Sequence, residues 1–307
     1  MTPRRPIIRY HGGKWRLAPW IISHFPVHKV YVEPFGGAAS VLMRKPRSHG
    51  EVYNDLDDEI VNVMRVLRDA GTRVQLEHAL TFTPYARAEF NLAYEPSSDP
   101  VERARRCLIR AEMGFGSAGA TKGTTGFRID TKRNYGTAMH IWARVPEGLA
   151  AFGQRLQGVL IENRPALKVI EDHDTPHTLF YVDPPYVHDT RKMGSRCYRH
   201  EMIDADHQAL LDKLLAVRGM VVLSGYQHSI YDDALQGWRK IETKARMAAG
   251  RGTGIRTESL WLSPNIRTNN LFQQDDGALG QNFERGQKTS PAPVATMDTC
   301  AETMEAE

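Results

Sequence analysis

The sequence predicts a doubly wound α/β fold, a mixed and largely parallel sheet with helices on both faces, interrupted by one long insertion. Short runs rich in β-branched and aromatic residues alternate with helix-period patterns, as successive βαβ units require. The run at 178–182, Thr-Leu-Phe-Tyr-Val, is apolar throughout, which marks a strand buried on both faces. Between the second and third such runs lie about a hundred residues, far more than one crossover needs.

In chain order, strands are expected at 29–33, 51–54, 158–162, 178–183, 220–224, 239–243 and 258–263. Helical patterns occupy 56–68, 146–156 and 205–218. In the last of these Leu210, Leu211, Leu214, Leu215 and Val217 make an apolar stripe, and Asp204 and Asp206 favour the helix start. The interval 75–157 reads as an insert. Its first part is helical: Val101, Ala104, Leu108 and Ala111 share one face, while Arg103, Arg106 and Arg110 share another that is expected to be solvated. Its second part, 114–144, holds six glycines and five Lys or Arg residues against the single acid Asp130, with Phe115, Phe127, Tyr135 and Trp142 interspersed. The globular unit is expected to span 1–272. From 273 to 307 large apolar residues almost vanish, the mark of a disordered acidic tail.

The net charge of +4 divides unevenly, with −5 on 273–307 and therefore +9 on 1–272. A basic body suits a polyanionic partner. Candidate phosphate contacts are Lys122, Arg128, Lys132 and Arg133 in the insert, and Arg251 and Arg256 in the basic stretch 238–256. Within that stretch Gly250-Arg-Gly-Thr-Gly254 reads as a mobile loop. Cys107, Cys197 and Cys300 show neither paired nor metal-ligand spacing, so no disulfide framework and no metal site are expected. There is no signal-peptide core and no apolar run of membrane-spanning length. The chain is expected to be cytoplasmic, with no membrane partner, and a monomer or weak dimer.

Chemistry concentrates in a few segments. Asp183-Pro184-Pro185-Tyr186 directly follows the apolar strand, and ligands of open α/β sheets collect beyond the carboxyl ends of strands. An exocyclic aromatic amine is a poor nucleophile, because its lone pair is delocalised into the ring. A carboxylate from Asp183 and a carbonyl from Pro184 can accept its N–H groups and favour the charge that develops at nitrogen. Pro184 and Pro185 stiffen the backbone, and Tyr186 offers a flat face for a base. Upstream, Tyr31-Val-Glu-Pro-Phe-Gly-Gly-Ala-Ala-Ser40 runs from a strand through a glycine turn at Gly36 and Gly37 into a helix at 38–43. Such a turn lets backbone approach a cofactor, with Ala39 where a further glycine might stand. Asp55 follows Gly37 by eighteen residues, close to the spacing of a ribose-binding acid; it reads equally as the N-cap of 56–68, and both roles can coexist. Arg9-Tyr10-His11-Gly12-Gly13-Lys14 sets paired glycines beside a cation that suits an anionic group. His11 has no partner cluster.

The order of these segments resembles the DNA adenine methylase family, the Dam-like class of N6-adenine-specific DNA methyltransferases, in its phage or prophage type. The resemblance covers 7–272, with weaker echoes at 206–210, 221–224 and 257–261. It implies a Rossmann-like S-adenosylmethionine-dependent methyltransferase fold with an inserted target-recognition region, and methyl transfer to N6 of a flipped adenine in double-stranded DNA. By the same resemblance, Tyr10, Lys14, Glu33, Phe35, Gly37, Asp55 and Asp183 line the S-adenosylmethionine site, and Asp183, Pro184, Pro185 and Tyr186 hold the adenine. One departure is Glu162-Asn163-Arg164-Pro165, where relatives carry an aspartate near the cofactor adenine; Asn163 is the candidate substitute. The alternatives are methylation of another planar amino group, cytosine N4 in DNA or adenine in RNA. A nucleotide-dependent oxidoreductase shares the glycine turn but leaves Asp183–Tyr186 unexplained, and the intact Asp183 argues against a purely DNA-binding protein.

Overall fold

Side-chain alternation along the strands decides the architecture. The computed structural model describes residues 3–121, 123–129, 137–188, 198–249 and 252–266, with backbone alone at 246–249 and 252–255. The segment 273–307, Lys122, Lys132, Arg133 and Arg251 lie outside the described residues. Seven strands form one sheet: β1 (Val30–Glu33), β2 (Gly50–Asn54), β3 (Val159–Glu162), β4 (Thr178–Val182), β5 (Met220–Gly225), β6 (Arg239–Ala249) and β7 (Gly252–Leu262). Their order is β3-β2-β1-β4-β5-β7-β6. The first five are parallel, and β7 runs antiparallel to both β5 and β6. This is the mixed, largely parallel Rossmann-like sheet that the sequence predicts.

Successive residues serve opposite faces. Tyr31, Tyr53, Leu179, Tyr181, Met220 and Val222 join one apolar core, while Val32, Val52, Phe180, Val182, Val221 and Leu223 join the other. The second core is closed by α9 (Ala166–Asp172), α10 (Asp204–Ala216) and α11 (Ser229–Ala234). The first is closed by α1 (Ala18–Ile22), α2 (Ser40–Arg44) and α3 (Asp58–Arg68), and by the additional helices α4 (Ala70–Thr81), α5 (Arg87–Leu92), α6 (Pro100–Met113), α7 (Ala138–Ala143) and α8 (Leu149–Leu156). A 3-10 turn, Pro146–Gly148, opens the expected 146–156 helix, which becomes α-helical only at Leu149. No described helix is long and apolar enough to cross a membrane.

The added helices share a core with α3. The expected insert boundary at 75 falls inside α4; the break in the chain is at Asp69, which ends α3 and caps α4 by accepting from the Thr72 N–H at 2.8 Å. Val101, Ala104, Leu108 and Ala111 are buried as their spacing predicts. The opposite face is not solvated. Arg103 bonds Asp58 and Glu59, Arg106 bonds Glu102 at 2.6 Å, and Arg110 bonds Glu59 at 2.8 Å and the Ala93 carbonyl. Arg103 and Arg110 latch α6 to the start of α3, while Arg106 stays on its own helix and the loop before it. Arg128, expected to touch phosphate, is only 7% exposed and lies beside Glu112, whose carboxyl burial pushes up while Arg9 and Arg128 oppose the shift. An arginine enclosed with its counter-charge is an interior group rather than a surface contact.

The stretch 238–256 is also corrected. Instead of two short strands joined by a mobile loop, it forms a long hairpin paired from Arg239↔Leu262 to Ala249↔Gly252, with Gly254 opposite Met247.

At the amino ends of the strands, Glu51 (4% exposed) accepts from Lys45 at 2.7 Å and from Arg155 at 2.6 and 2.8 Å. Burial works against its charge, but the bonds from Arg155 and Lys45 outweigh that and hold the carboxyl below its usual range. Removing one member of such a buried cluster leaves bare charge behind. Glu51→Ala is therefore expected to lower unfolding free energy by about 3–5 kcal/mol in urea titrations at neutral pH. Because the folded pKa is depressed, this contribution is present at neutral pH and is lost as pH falls below about 4.

Candidate active site

A cleft of about 300 Å³ opens at the carboxyl ends of β1, β2 and β4, where the sheet order reverses direction. All seven expected cofactor residues, Tyr10, Lys14, Glu33, Phe35, Gly37, Asp55 and Asp183, line it. So do Pro184 and Pro185, whereas Tyr186 lies behind Asp183 and is buried.

The glycine turn is built by close approach. The Gly36 N–H donates to the Asn54 carbonyl at 2.7 Å, and a Cβ at Gly36 would lie 2.2 Å from the Tyr53 ring. Gly37 has φ +47°, and a Cβ there would meet the Tyr10 ring at 2.8 Å. Ala39, expected as an ordinary helix-opening residue, instead takes the left-handed conformation (φ 54°, ψ 32°) and precedes α2. Buried Glu33 accepts from the Tyr31 hydroxyl at 2.6 Å and the Leu42 N–H at 2.7 Å; burial lifts its carboxyl to about 7 against those bonds.

Asp55 does not cap α3. Its Oδ2 accepts from the Gly37 N–H at 2.8 Å, clamping the glycine turn, and its Oδ1 accepts from the Asp57 N–H at 2.8 Å. Burial raises it to about 6. The cap is Asp57, which accepts from the Glu59 N–H at 3.0 Å and also holds Arg199 at 2.8 and 2.9 Å. Arg199 belongs to the stretch 198–202 that forms the far wall of the cleft. Asn163 does not line the cleft: its amide donates to the Asp55 and Leu56 carbonyls, and Pro165, Ala166 and Leu167 form an apolar wall instead.

At the floor, the Lys14 ammonium donates to both Asp183 oxygens, at 2.8 and 2.9 Å, to the Tyr186 hydroxyl and to the Gly12 carbonyl. Lys14 is 4% exposed. Burial works against its charge, yet Asp183 and Glu258 outweigh that and keep it protonated. Burial likewise pushes the Asp183 carboxyl up, to about 6, with Lys14 opposing. Tyr186 stacks on Tyr226 with centroids 4.2 Å apart and donates to Glu258 at 3.1 Å. Arg256 stands over the other member of that stack, 5.0 Å from the Tyr226 centroid.

Glu258 and Ser224 are site residues that sequence reasoning missed. The signal was available: Glu258 shares a strand face with Leu260 and Leu262, so a charge stands where alternation demands an apolar residue.

The residues fit S-adenosylmethionine. The glycine turn is a cradle that any Cβ would fill, and Asp55 is a half-buried carboxylate bonded to it. Ser40 contributes a hydroxyl that lines the cleft, is buried and has no partner among the described residues. A glycine-cradled cleft at the switch point of this sheet, with a carboxylate and two prolines at the end of β4, defines an S-adenosylmethionine-dependent methyltransferase. The sequence profile of the D12 class N6 adenine-specific DNA methyltransferases matches residues 10–247, and the chain belongs to that family. It is 22% identical over 266 residues to the DNA adenine methylase of Salmonella typhi, covering 83% of this chain and 93% of that protein. To the DNA adenine methylase of Escherichia coli K12 it is 22% identical over 220 residues, covering 70% and 76%. Among solved structures, the SAM-dependent methyltransferase from Agrobacterium tumefaciens aligns with a TM-score of 0.36 at 12% identity, covering 82% of this chain and 62% of that one. The protein methylates the N6 amino group of adenine in DNA with S-adenosylmethionine as donor; cytosine N4 and RNA are not favoured.

The separate duties of Asp55 and Asp57 give opposite expectations. Asp55→Ala should raise the S-adenosylmethionine dissociation constant by roughly ten- to a hundredfold in calorimetric titration. Asp57→Ala should instead lower stability by about 0.5–2 kcal/mol through loss of the cap, read as a lower melting temperature.

Proposed function

We propose that the enzyme acts on duplex DNA, extruding one adenine onto Asp183–Tyr186, and that Asp183 is the group on which transfer depends. The observation that carries this reading is the partly buried Asp183 carboxylate held at the cleft floor by Lys14, 2.8 Å away. Bound S-adenosylmethionine supplies a methyl carbon attached to a positive sulfonium, whose sulfur leaves with the bonding pair. Asp183 accepts one N6 hydrogen bond and the Pro184 carbonyl the other. Together they draw the nitrogen toward a pyramidal shape and stabilise the positive charge that grows on it. Tyr186, buried and fixed by its stack on Tyr226, bonds Lys14 and so braces the floor on which the extruded base rests.

Glu33, Tyr10, Phe35, Gly37 and Asp55 hold the cofactor in this reading, and Lys14 keeps Asp183 in place. Arg256, on the strand that carries Glu258, brings a cation to the Tyr226 side of the stack and takes a backbone phosphate. Lys122, Lys132, Arg133 and Arg251 extend the same role. Recognition of flanking sequence falls to the region 114–144, supported by the exposure of Phe115 and Ile129 beside the Gly114↔Phe127 bridge.

Asp183→Ala should abolish formation of N6-methyladenine, measured by nucleoside mass spectrometry on DNA treated with the variant; near-wild-type product would overturn the mechanism. Since transfer requires the ionised carboxylate and burial lifts it to about 6, the wild-type rate should fall as pH drops through that value.

Arg256→Ala should weaken binding to all DNA sequences alike and reduce the salt dependence by roughly one contact. A changed set of methylated sites with an unaltered salt slope would instead make Arg256 a reader of bases.

A further inference from the structure

The Lys14 ammonium sits between two carboxylates. It donates to both oxygens of Asp183 at 2.8 and 2.9 Å, and its distance to Glu258 Oε1 is 3.5 Å. Lys14 and Glu258 are 4% and 3% exposed, so water does little to share these charges. Glu258 belongs to β7, beyond the segment matched by the family profile, and does not line the cofactor cleft. It is fastened by the Ser224 hydroxyl at 3.0 Å and the Tyr186 hydroxyl at 3.1 Å, so it cannot swing away from the ammonium without losing both.

The arrangement raises a difficulty for the reaction. A carboxylate whose two oxygens are both occupied by an ammonium is a weak acceptor for a further N–H, because the cation draws off the electron density the amine needs. Each Asp183 oxygen keeps a second lone pair for N6, but it becomes a stronger acceptor when Lys14 loosens its hold on it. A displaced ammonium in a dry site needs another acceptor at once, since a bare buried charge is costly.

We propose that Glu258 is a positioning residue that receives Lys14 when the target adenine arrives, so that the ammonium passes from Asp183 to Glu258 and leaves an Asp183 oxygen a stronger acceptor for N6. The transfer is short, from contact distance on one side to contact distance on the other. Because Lys14 also donates to Tyr186, and Tyr186 to Glu258, the shift moves along bonds that already exist. Glu258 touches neither adenine nor cofactor; it acts through Lys14 and through the orientation of Tyr186. The inference rests on the reading that Asp183 accepts the N6 amine.

A change at Glu258 also reaches Asp183 electrostatically. The groups that act on Asp183 are Lys14 from the amino-terminal segment, Tyr181 from β4, Tyr186 from the turn after it, Glu33 from β1, Tyr231 from α11 and Glu258 from β7. Of these, Glu258 raises the Asp183 carboxyl and Lys14 lowers it. Loss of the Glu258 charge therefore lets Asp183 ionise at lower pH while tightening the grip of Lys14 on it.

The test is the single-turnover rate of methyl transfer, with enzyme in excess over genomic DNA from a methylation-deficient host, measured against pH. It is run on the wild type, Glu258→Gln, Glu258→Asp and Asp183→Asn, with calorimetric S-adenosylmethionine binding and melting temperature for each. Glutamine keeps the acceptor for Tyr186 and Ser224 but removes the charge. The expected result for Glu258→Gln is a plateau rate lower by about tenfold or more, an acid limb moved to lower pH, and unchanged cofactor affinity. Glu258→Asp, which restores the charge, should recover part of the rate and return the limb toward its wild-type position. A Glu258→Gln plateau within about twofold of wild type with the limb unmoved overturns the proposal. So does loss of cofactor binding together with rate, which would make Glu258 a support of the fold alone. Asp183→Asn separates the two readings: if it retains turnover, the assignment of Asp183 fails, whereas a dead Asp183→Asn beside a wild-type-like Glu258→Gln removes only the hand-over.

Discussion

A buried ammonium holds the reaction centre together. Taking Lys14 out of water costs several kcal/mol that only nearby carboxylates can offset, and Asp183 and Glu258 supply them from two different strands. The converse holds as well: without Lys14, two acids would face one another in a dry site, and at least one would take up a proton. The same cation bonds the Tyr186 hydroxyl, so the plane of that ring, its stack on Tyr226 and the position of Asp183 are set by one charge. The amino-terminal segment thus belongs to the catalytic floor although it precedes every strand of the sheet.

The sheet supplies the place for that floor. Because β1 stands between β2 and β4, the chain leaves the sheet on opposite sides at this point, and the loops after these strands diverge to leave a crevice. Each strand delivers one component there. Beyond β1 comes the glycine turn, beyond β2 comes Asp55, and beyond β4 comes Asp183. Asp55 then ties two of the three together through the Gly37 N–H, so the glycine turn and the carboxylate are one hydrogen-bonded unit.

What could be read from the sequence was what local pattern controls. The five parallel strands fall within a residue or two of their expected spans, because apolar runs of that length have few other solutions. The glycine turn and Asp183-Pro184-Pro185-Tyr186 carried their backbone requirements in their own composition. Partnerships across distance were not legible. Asp55 and Asp57 are two residues apart, and only the geometry of the β2–α3 turn assigns the cap to the second. Arg103 and Arg110 looked solvated because Glu59, on another helix, could not be seen beside them. Glycines at 250, 252 and 254 suggested a loop, yet pairing with β6 overrides that preference for Gly252 and Gly254. Glu258 was passed over because a single glutamate in a strand is ordinary until its neighbours, Ser224 and Tyr186, are known.

The contacts that complete the floor join segments far apart in the chain. Lys14 meets Asp183 across 169 residues, and Tyr186 meets Glu258 across a further 72. During synthesis from the amino terminus, the glycine cradle and Asp55 are available early, whereas β7 emerges among the last of the described segments. A nascent chain still lacking β7 already holds every residue that lines the cleft, but not Glu258, the second carboxylate beside Lys14. If Lys14 is handed to Glu258 as proposed, full activity awaits the closing of the sheet on its final antiparallel strand, and chains truncated before residue 258 lack that step.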